Sequence, residues 1–270
     1  MKAFLHQAFT LARVSNLPTV WTNVLAAWAI NATASPTFKI MPEVLDLTFF
    51  DWWTFAYLAI GASLIYAGGC TLNDAFDQNF DQAHNPKRPL PSGSISSKAV
   101  WILGSLELLF GVILMVTLAG CEKTWVLALV ASVVLYDYIH KKWAGGILIM
   151  GACRFFLWIS AASAGGKADL APQTWIWATV LAAYIIGVSG FARGESKKKK
   201  EPVQYSIILL FSSPLIALAF LVYWNQLDPI RVFLCNLTGL LVAWIAFSSV
   251  LLMREGKKGA IGTGVSRLLA

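Results

Sequence analysis

Residues 52–81 read WWTFAYLAIGASLIYAGGCTLNDAFDQNFD, and the change of character after Leu72 decides the architecture. From Trp52 to Leu72 no side chain carries a formal charge, and roughly 20 helical residues are enough to cross a hydrocarbon core about 30 Å thick. The stretch predicts a membrane helix, because in lipid a backbone must satisfy its polar groups internally. Beyond Leu72 the chain turns acidic, with Asn73, Asp74, Asp77 and Asp81. At 3.6 residues per turn Asn73, Asp77 and Asp81 share one helix face, about 5–6 Å between successive Cβ atoms, and Asp74 flanks them. Like charges four apart cost a helix roughly 0.2–0.5 kcal/mol per pair. Carboxylates at the negative end of the macrodipole add about 0.3–1 kcal/mol each. A divalent cation reverses the sign of both effects, and oxygen donors completed by a polyphosphate suit Mg²⁺ better than softer metals. A solvated, acid-rich helix end has the same spacing.

Seven further apolar stretches lie at about 17–34, 100–120, 124–140, 145–164, 174–192, 205–224 and 231–253, making eight spans. The expected fold is all-α, a polytopic transmembrane bundle in a single domain over residues 1–270. Ile261 to Ala270 opens another apolar pattern too short to span, which reads as a partial ninth helix. Composition agrees: 57% of the 270 residues are hydrophobic and 13% charged, where a soluble domain carries about 25% charge. The net charge of +7 sits in short clusters between apolar stretches and forms no basic face for nucleic acid. Fifteen Lys and Arg, among them Arg13, Lys87, Arg88, Lys141, Lys142, Arg193 and Lys197 to Lys200, fall on one side of the eight spans, and Lys39, Lys123, Lys167 and Arg231 on the other. The positive-inside rule makes the richer side, with the N-terminus and the acidic helix end, cytoplasmic. Four cysteines at unrelated spacings, without a CxxC pair, argue against a zinc or redox centre. No small-residue cleavage site precedes the first span, so the N-terminus reads as mature sequence.

Directly after the acids comes Asn85-Pro86-Lys87-Arg88-Pro89-Leu90-Pro91-Ser92-Gly93, which prolines hold out of a helix. Acids that bind a metal, followed by cations that bind phosphate, describe a diphosphate site. Its place at a membrane surface fits a substrate with a charged head and an apolar tail. Lys87 and Arg88 also serve the topology.

Asn73-x-x-x-Asp77-x-x-x-Asp81 after a membrane helix, with Arg88-Pro89-Leu90-Pro91-Ser92-Gly93 behind it, resembles the first Asp-rich motif of the UbiA superfamily of membrane prenyltransferases. Weaker matches are Asn16, Pro18 and Asn23, then Tyr136 with Lys141 and Lys142, then Gly151 with Arg154. The resemblance implies nine membrane helices around a cavity and transfer of a prenyl group from a prenyl diphosphate to an aromatic or lipophilic acceptor. It implies Asn73, Asp74, Asp77 and Asp81 as ligands of Mg²⁺ and Asp77, Asp81, Arg154 and Glu195 as catalytic residues. Arg13, Asn23, Arg88, Tyr136, Lys141, Lys142 and Arg193 would meet the substrate. Arg154 stands about ten residues into an apolar stretch, where an unpaired charge costs at least about 2.5–3.5 kcal/mol, so it should face a cavity or an anion. The departure lies at Ser189 to Glu201, where such families carry a second Asp-rich motif. This chain has no Asp there, but Arg193-Gly194-Glu195 and a lysine run, similar to an element of the divergent EboC-like branch. A non-catalytic carrier or scaffold for isoprenoid or lipid substrates is the alternative reading.

Overall fold

The computed structural model describes residues 2–33, 51–143, 145–167, 169–194, 204–225, 229–254, 263 and 267–268. In chain order the helices are α1 (Lys2–Leu11), α2 (Leu17–Thr33), α3 (Trp52–Phe76), α4 (Gln78–His84), α5 (Ser97–Ile113), α6 (Lys123–Ile139), α7 (Gly146–Ala162), α8 (Pro172–Gly194), α9 (Gln204–Asn225) and α10 (Pro229–Arg254). The described residues contain no strand. All but α1 and the short α4 coincide, within a few residues, with the eight apolar stretches. Trp52–Phe76 and Ser97–Leu118 are each long and apolar enough to cross a membrane, and Gly146–Ala162, Ser206–Phe220 and Leu240–Leu252 are shorter apolar helices.

Residues 1–149 and 156–175 make one compact unit, and residues 150–155 and 176–270 a second. The first is organised by α3 lying against α5. Asp51 caps α3 by accepting from the Trp53 amide, and Ser96 caps α5 by accepting from the Ala99 amide, relieving donors that the first turn leaves unpaired. Glycines seven residues apart on each helix then remove side chains from the contact. A Cβ on Gly68 would stand 2.9 Å from the Gly104 carbonyl oxygen, and one on Gly111 2.9 Å from that of Gly61. Small residues that let backbones approach are the usual adhesive between helices in lipid, where no hydrophobic gain favours contact. After Ile113 one π turn, Leu114–Leu118, carries α5 on and seats the fully buried Met115 against Gly61. The outer face of α5 shows Ile102, Leu106, Leu109, Phe110 and Ile113 exposed. A helix with glycines inside and large apolar side chains outside is built for hydrocarbon, not water. The single acid of α5, Glu107, accepts from Thr71 Oγ1 at 2.9 Å across the contact.

Farther from the acidic end, Asn31 ties three segments together. It is 4% exposed, donates to the Ala162 carbonyl and accepts from the Ala171 amide and from Thr174 Oγ1. In the second unit α8, α9 and α10 share a core of Val188, Leu210, Ala246, Val250 and Leu268, and Tyr184 Oη donates to the Leu268 carbonyl at 2.7 Å. Most of the stretch read as a partial ninth helix lies outside the described residues.

The acidic helix end differs from expectation in one respect. A single helix running on toward Pro86 is expected, whereas α3 stops at Phe76, Asp77 forms a turn, and α4 resumes at Gln78. The break is shallow. Backbone bonds of 2.9, 2.9 and 2.8 Å still link Asn73 to Asp77, Asp77 to Asp81 and Asp81 to Asn85.

Gly68→Ala should lower stability by about 1–3 kcal/mol, since it forces a backbone apart. Gly69→Ala meets only the movable Val133 side chain and should cost less. Thermal midpoints of the two variants in detergent check the order.

Candidate functional site

Four carboxylates gather where α3 leaves its apolar stretch. Asp74, Asp77, Asp81 and Asp137 are 6, 7, 1 and 5% exposed, and a buried carboxylate is sustained only by partners. Asp81 Oδ2 accepts from Arg88 Nη1 at 2.6 Å, and its Oδ1 from Asn85 Nδ2 at 2.8 Å. Asp74 Oδ1 meets Arg13 Nη2 at 3.3 Å and Arg88 Nη1 at 3.4 Å. Asp77 Oδ2 lies 2.9 Å from Lys141 Nζ and 3.4 Å from His140 Nε2. Asn73 Nδ2 donates to Asp137 Oδ1 at 3.0 Å, while the buried Asp137 Oδ2 has no hydrogen-bond partner among the described residues. Burial pushes the Asp77 carboxyl up, but the hydrogen bonds and charges of His140 and Lys141 prevail and hold it below the ordinary aspartate range.

Each cation arrives from a different segment with its own local support. Arg88 rides on the loop after α4, which is anchored by Leu90 and Ile95, buried against Leu11, Ala75 and Val100. The loop closes on itself through backbone bonds from Ser92 to Arg88 and Ser94 to Pro89, and Gly93 takes φ +75° there, a conformation glycine adopts freely. Lys141 follows the end of α6 and lies over the Phe80 ring, 3.4 Å from its centroid. This contact steadies the cation above the same helix turn as Asp77 and Asp81. Arg13 joins α1 to α2 with φ 46° and ψ 50°, the only left-handed non-glycine among the described residues. Such a conformation costs an L-residue about 1–2 kcal/mol, and it directs the guanidinium to Asp74.

The expected convergence of Asn73, Asp77 and Asp81 on one point is not what the side chains do. Asn73 turns to Asp137, Asp77 to His140 and Lys141, and Asp81 to Arg88 and Asn85. The backbone spacing holds, but Asp77 and Asp81 each take a cation from another segment, which an argument from one helix omits. Among the described residues no three His, Cys, Asp or Glu side chains already stand in a metal-binding arrangement. Mg²⁺, however, keeps several waters and usually takes one or two carboxylates plus substrate phosphate oxygens. The carboxylates and the Asn73 amide supply hard oxygen donors of that kind, so the donor set fits.

The other expected residues are placed as follows. Tyr136 stacks on His140, centroids 4.9 Å apart, beside the Asp77 contact. Lys142 turns away and lies over the Tyr138 ring at 4.0 Å. Asn23 donates to the Thr19 carbonyl within its own helix, and Asn16 Nδ2 to Tyr66 Oη. Arg154, half-buried on α7, belongs to the second unit. Arg193 is in the last turn of α8, and Glu195 with Lys197 to Lys200 lies outside the described residues. Asp137 and His140 were not among the expected site residues. Asp137 had a signal, since an acid inside an apolar stretch is expensive and marks a functional position by default.

The UbiA prenyltransferase family model matches residues 46–260. The 4-hydroxybenzoate octaprenyltransferase of Pseudomonas aeruginosa is 28% identical over 165 residues, covering 59% of this chain and 48% of that protein. The digeranylgeranylglyceryl phosphate synthase of Sulfurisphaera tokodaii is 31% identical over 145 residues, covering 53% of this chain and 46% of that one. The chain thus spans about half the length of these curated relatives. A UbiA homolog from Aeropyrum pernix K1, solved in its apo form, superimposes with a TM-score of 0.68 at 15% identity, over 98% of this chain and 93% of the other. A structure of a digeranylgeranylglyceryl phosphate synthase gives 0.65 at 19% identity, over 100% and 96%. By the extent of the family match, the chain belongs to the UbiA prenyltransferase family.

Proposed function

We propose that this integral membrane protein catalyses Mg²⁺-dependent transfer of a prenyl group from a prenyl diphosphate to a lipophilic or aromatic acceptor within the membrane. One observation carries the reading: at the end of an apolar helix the buried Asp74, Asp77 and Asp81 each lie against a cation from another segment. The same few ångströms thus offer oxygens for a metal and cations for a phosphate. The named relatives, an octaprenyltransferase and a digeranylgeranylglyceryl phosphate synthase, support the substrate class. The family match runs through both compact units and supports one prenyltransferase domain. The cation asymmetry supports a multi-pass topology with the N-terminus and the site on the cytoplasmic face.

In this reading Asn73, Asp74, Asp77 and Asp81 hold Mg²⁺, which when bound neutralises charge on the departing diphosphate. Arg88 and Lys141 have two uses. Without substrate they neutralise Asp81 and Asp77; with a diphosphate present they turn to its oxygens, where the Arg88 fork can bind two at once. Arg13 closes the same side from the α1–α2 turn. Lys142 adds positive charge at the margin, Asn23 faces the substrate from the first span, and Arg193 remains a substrate-binding residue implied by the resemblance. Glu195 and Arg154 complete the catalytic set that the resemblance implies, and Arg193 and Glu195 occupy the sequence position of the second acidic motif. The allylic cation left by ionisation must be kept from water and is steadied by aromatic faces, a wall to which Tyr136 contributes.

Purified protein incubated with Mg²⁺, a labelled prenyl diphosphate and a panel of lipophilic acceptors should yield prenylated product. Diphosphate binding without turnover across the panel would instead support a carrier. Asp77→Ala and Asp81→Ala should each abolish Mg²⁺-dependent diphosphate binding while the protein still inserts, and unchanged binding in both overturns the site. Arg88→Gln should weaken diphosphate binding about tenfold or more, the scale of one charged hydrogen bond, as read by calorimetry.

A further inference from the structure

The acids of the cluster are not equally provided for. Asp74, Asp77 and Asp81 are matched by Arg13, Arg88 and Lys141. Asp137 is 5% exposed and forms no ion pair among the described residues. Its Oδ1 is engaged by Asn73 Nδ2, and its Oδ2 is buried without a hydrogen-bond partner among the described residues. The carboxylate also sits in the last turn of α6, three residues before His140, at the negative end of that helix, which disfavours an anion. Asp77, His140 and Arg13 stand near enough to act on its charge, yet none of them bonds to the free oxygen. A fixed, unpartnered carboxylate oxygen is poorly explained as a structural element, because an apolar or amide side chain would occupy the same space at lower cost.

We propose that Asp137 is a ligand of the divalent cation, its free Oδ2 and the Asn73 side chain it orients forming the foothold on which the ion first settles. The inference rests on the reading of this cluster as a metal-diphosphate site and deepens it. Two pieces of chemistry favour Asp137 over its neighbours. To serve as ligands Asp77 and Asp81 must first release Lys141 and Arg88, whereas Asp137 has no cation to release. A carboxylate can only accept, so it takes the Asn73 NH₂ and leaves the Asn73 Oδ1 uncommitted in that bond, an oxygen donor beside the same carboxylate. One carboxylate, one amide oxygen, water and phosphate oxygens make a shell of the kind Mg²⁺ adopts.

Asp137→Asn separates this role from a positioning one. The new amide keeps an oxygen to accept from Asn73 but places an NH₂ where the free oxygen was, and an NH₂ cannot ligate a cation. Asp137→Leu removes both functions. The measurement is Mn²⁺ binding to the full-length protein in detergent, followed by loss of the free-ion electron paramagnetic resonance signal with inorganic diphosphate present. Asp137→Asn should weaken Mn²⁺ binding at least tenfold, while the ion-free thermal midpoint stays the same or rises because an uncompensated charge has gone. Wild-type binding in Asp137→Asn overturns the proposal. So does a loss confined to Asp137→Leu, which would leave Asp137 only orienting Asn73. If Mn²⁺ binding is lost in Asp77→Ala but kept in Asp137→Asn, this inference fails and the site reading stands. If the unaltered protein binds no Mn²⁺ with diphosphate, both fail.

Discussion

The acidic end of α3 exists because its buried carboxylates are matched by charges brought from elsewhere in the chain. Asp74, Asp77 and Asp81 lie within eight residues of one another with little water to screen them, and Asp74 stands in the last turn of α3, where the helix end disfavours negative charge. Alone this segment would repel itself. Arg13 from the turn before α2, Arg88 from the loop after α4 and Lys141 from the end of α6 make it stable, and in doing so they fix where those three segments can lie. The Leu90 and Ile95 anchor, the Phe80 ring under Lys141 and the left-handed turn at Arg13 all serve to deliver a cation to an acid.

The rest of the first unit holds α3 still enough for this to matter. Gly61 and Gly68 lie against Gly111 and Gly104 so closely that backbone meets backbone, and such a contact tolerates little rotation before atoms collide. Asn31 fixes the segments around it through three hydrogen bonds. Packing at native density transmits strain instead of absorbing it, so the angle at which α3 presents Asp74 and Asp77 is determined well away from the acids themselves.

Much of this was legible in the residues. Eight apolar stretches became eight helices with ends displaced by only a few positions, because a long run of apolar residues without charge announces itself. The four-residue spacing of Asn73, Asp77 and Asp81 persisted in the backbone bonds, and Arg88 stood where a loop just after the acids could reach them. The sequence could not show which carboxylate each cation would choose. That depends on the turn at Asp77, on a left-handed residue at Arg13 and on Lys141 folding back over Phe80, none of which has a local signature. Lys142 illustrates the limit: chemically the twin of Lys141, it lies on Tyr138 instead, because consecutive side chains at a helix end diverge by about 100°. Asp137 was visible as an acid within an apolar stretch, yet its pairing with Asn73 joins residues 64 positions apart.

The backbone at Arg13 has a wider meaning. A glycine would rest there without strain, but it would bring no guanidinium, and the chain accepts an uncomfortable torsion in exchange for reach. The amino-terminal helix is thereby tied to the acidic ridge twice, by Leu11 packed against Ala75 and by the long side chain of Arg13. The ion pair with Asp74 is what offsets that torsion, so the comfort of the backbone at residue 13 depends on a carboxylate sixty-one positions away.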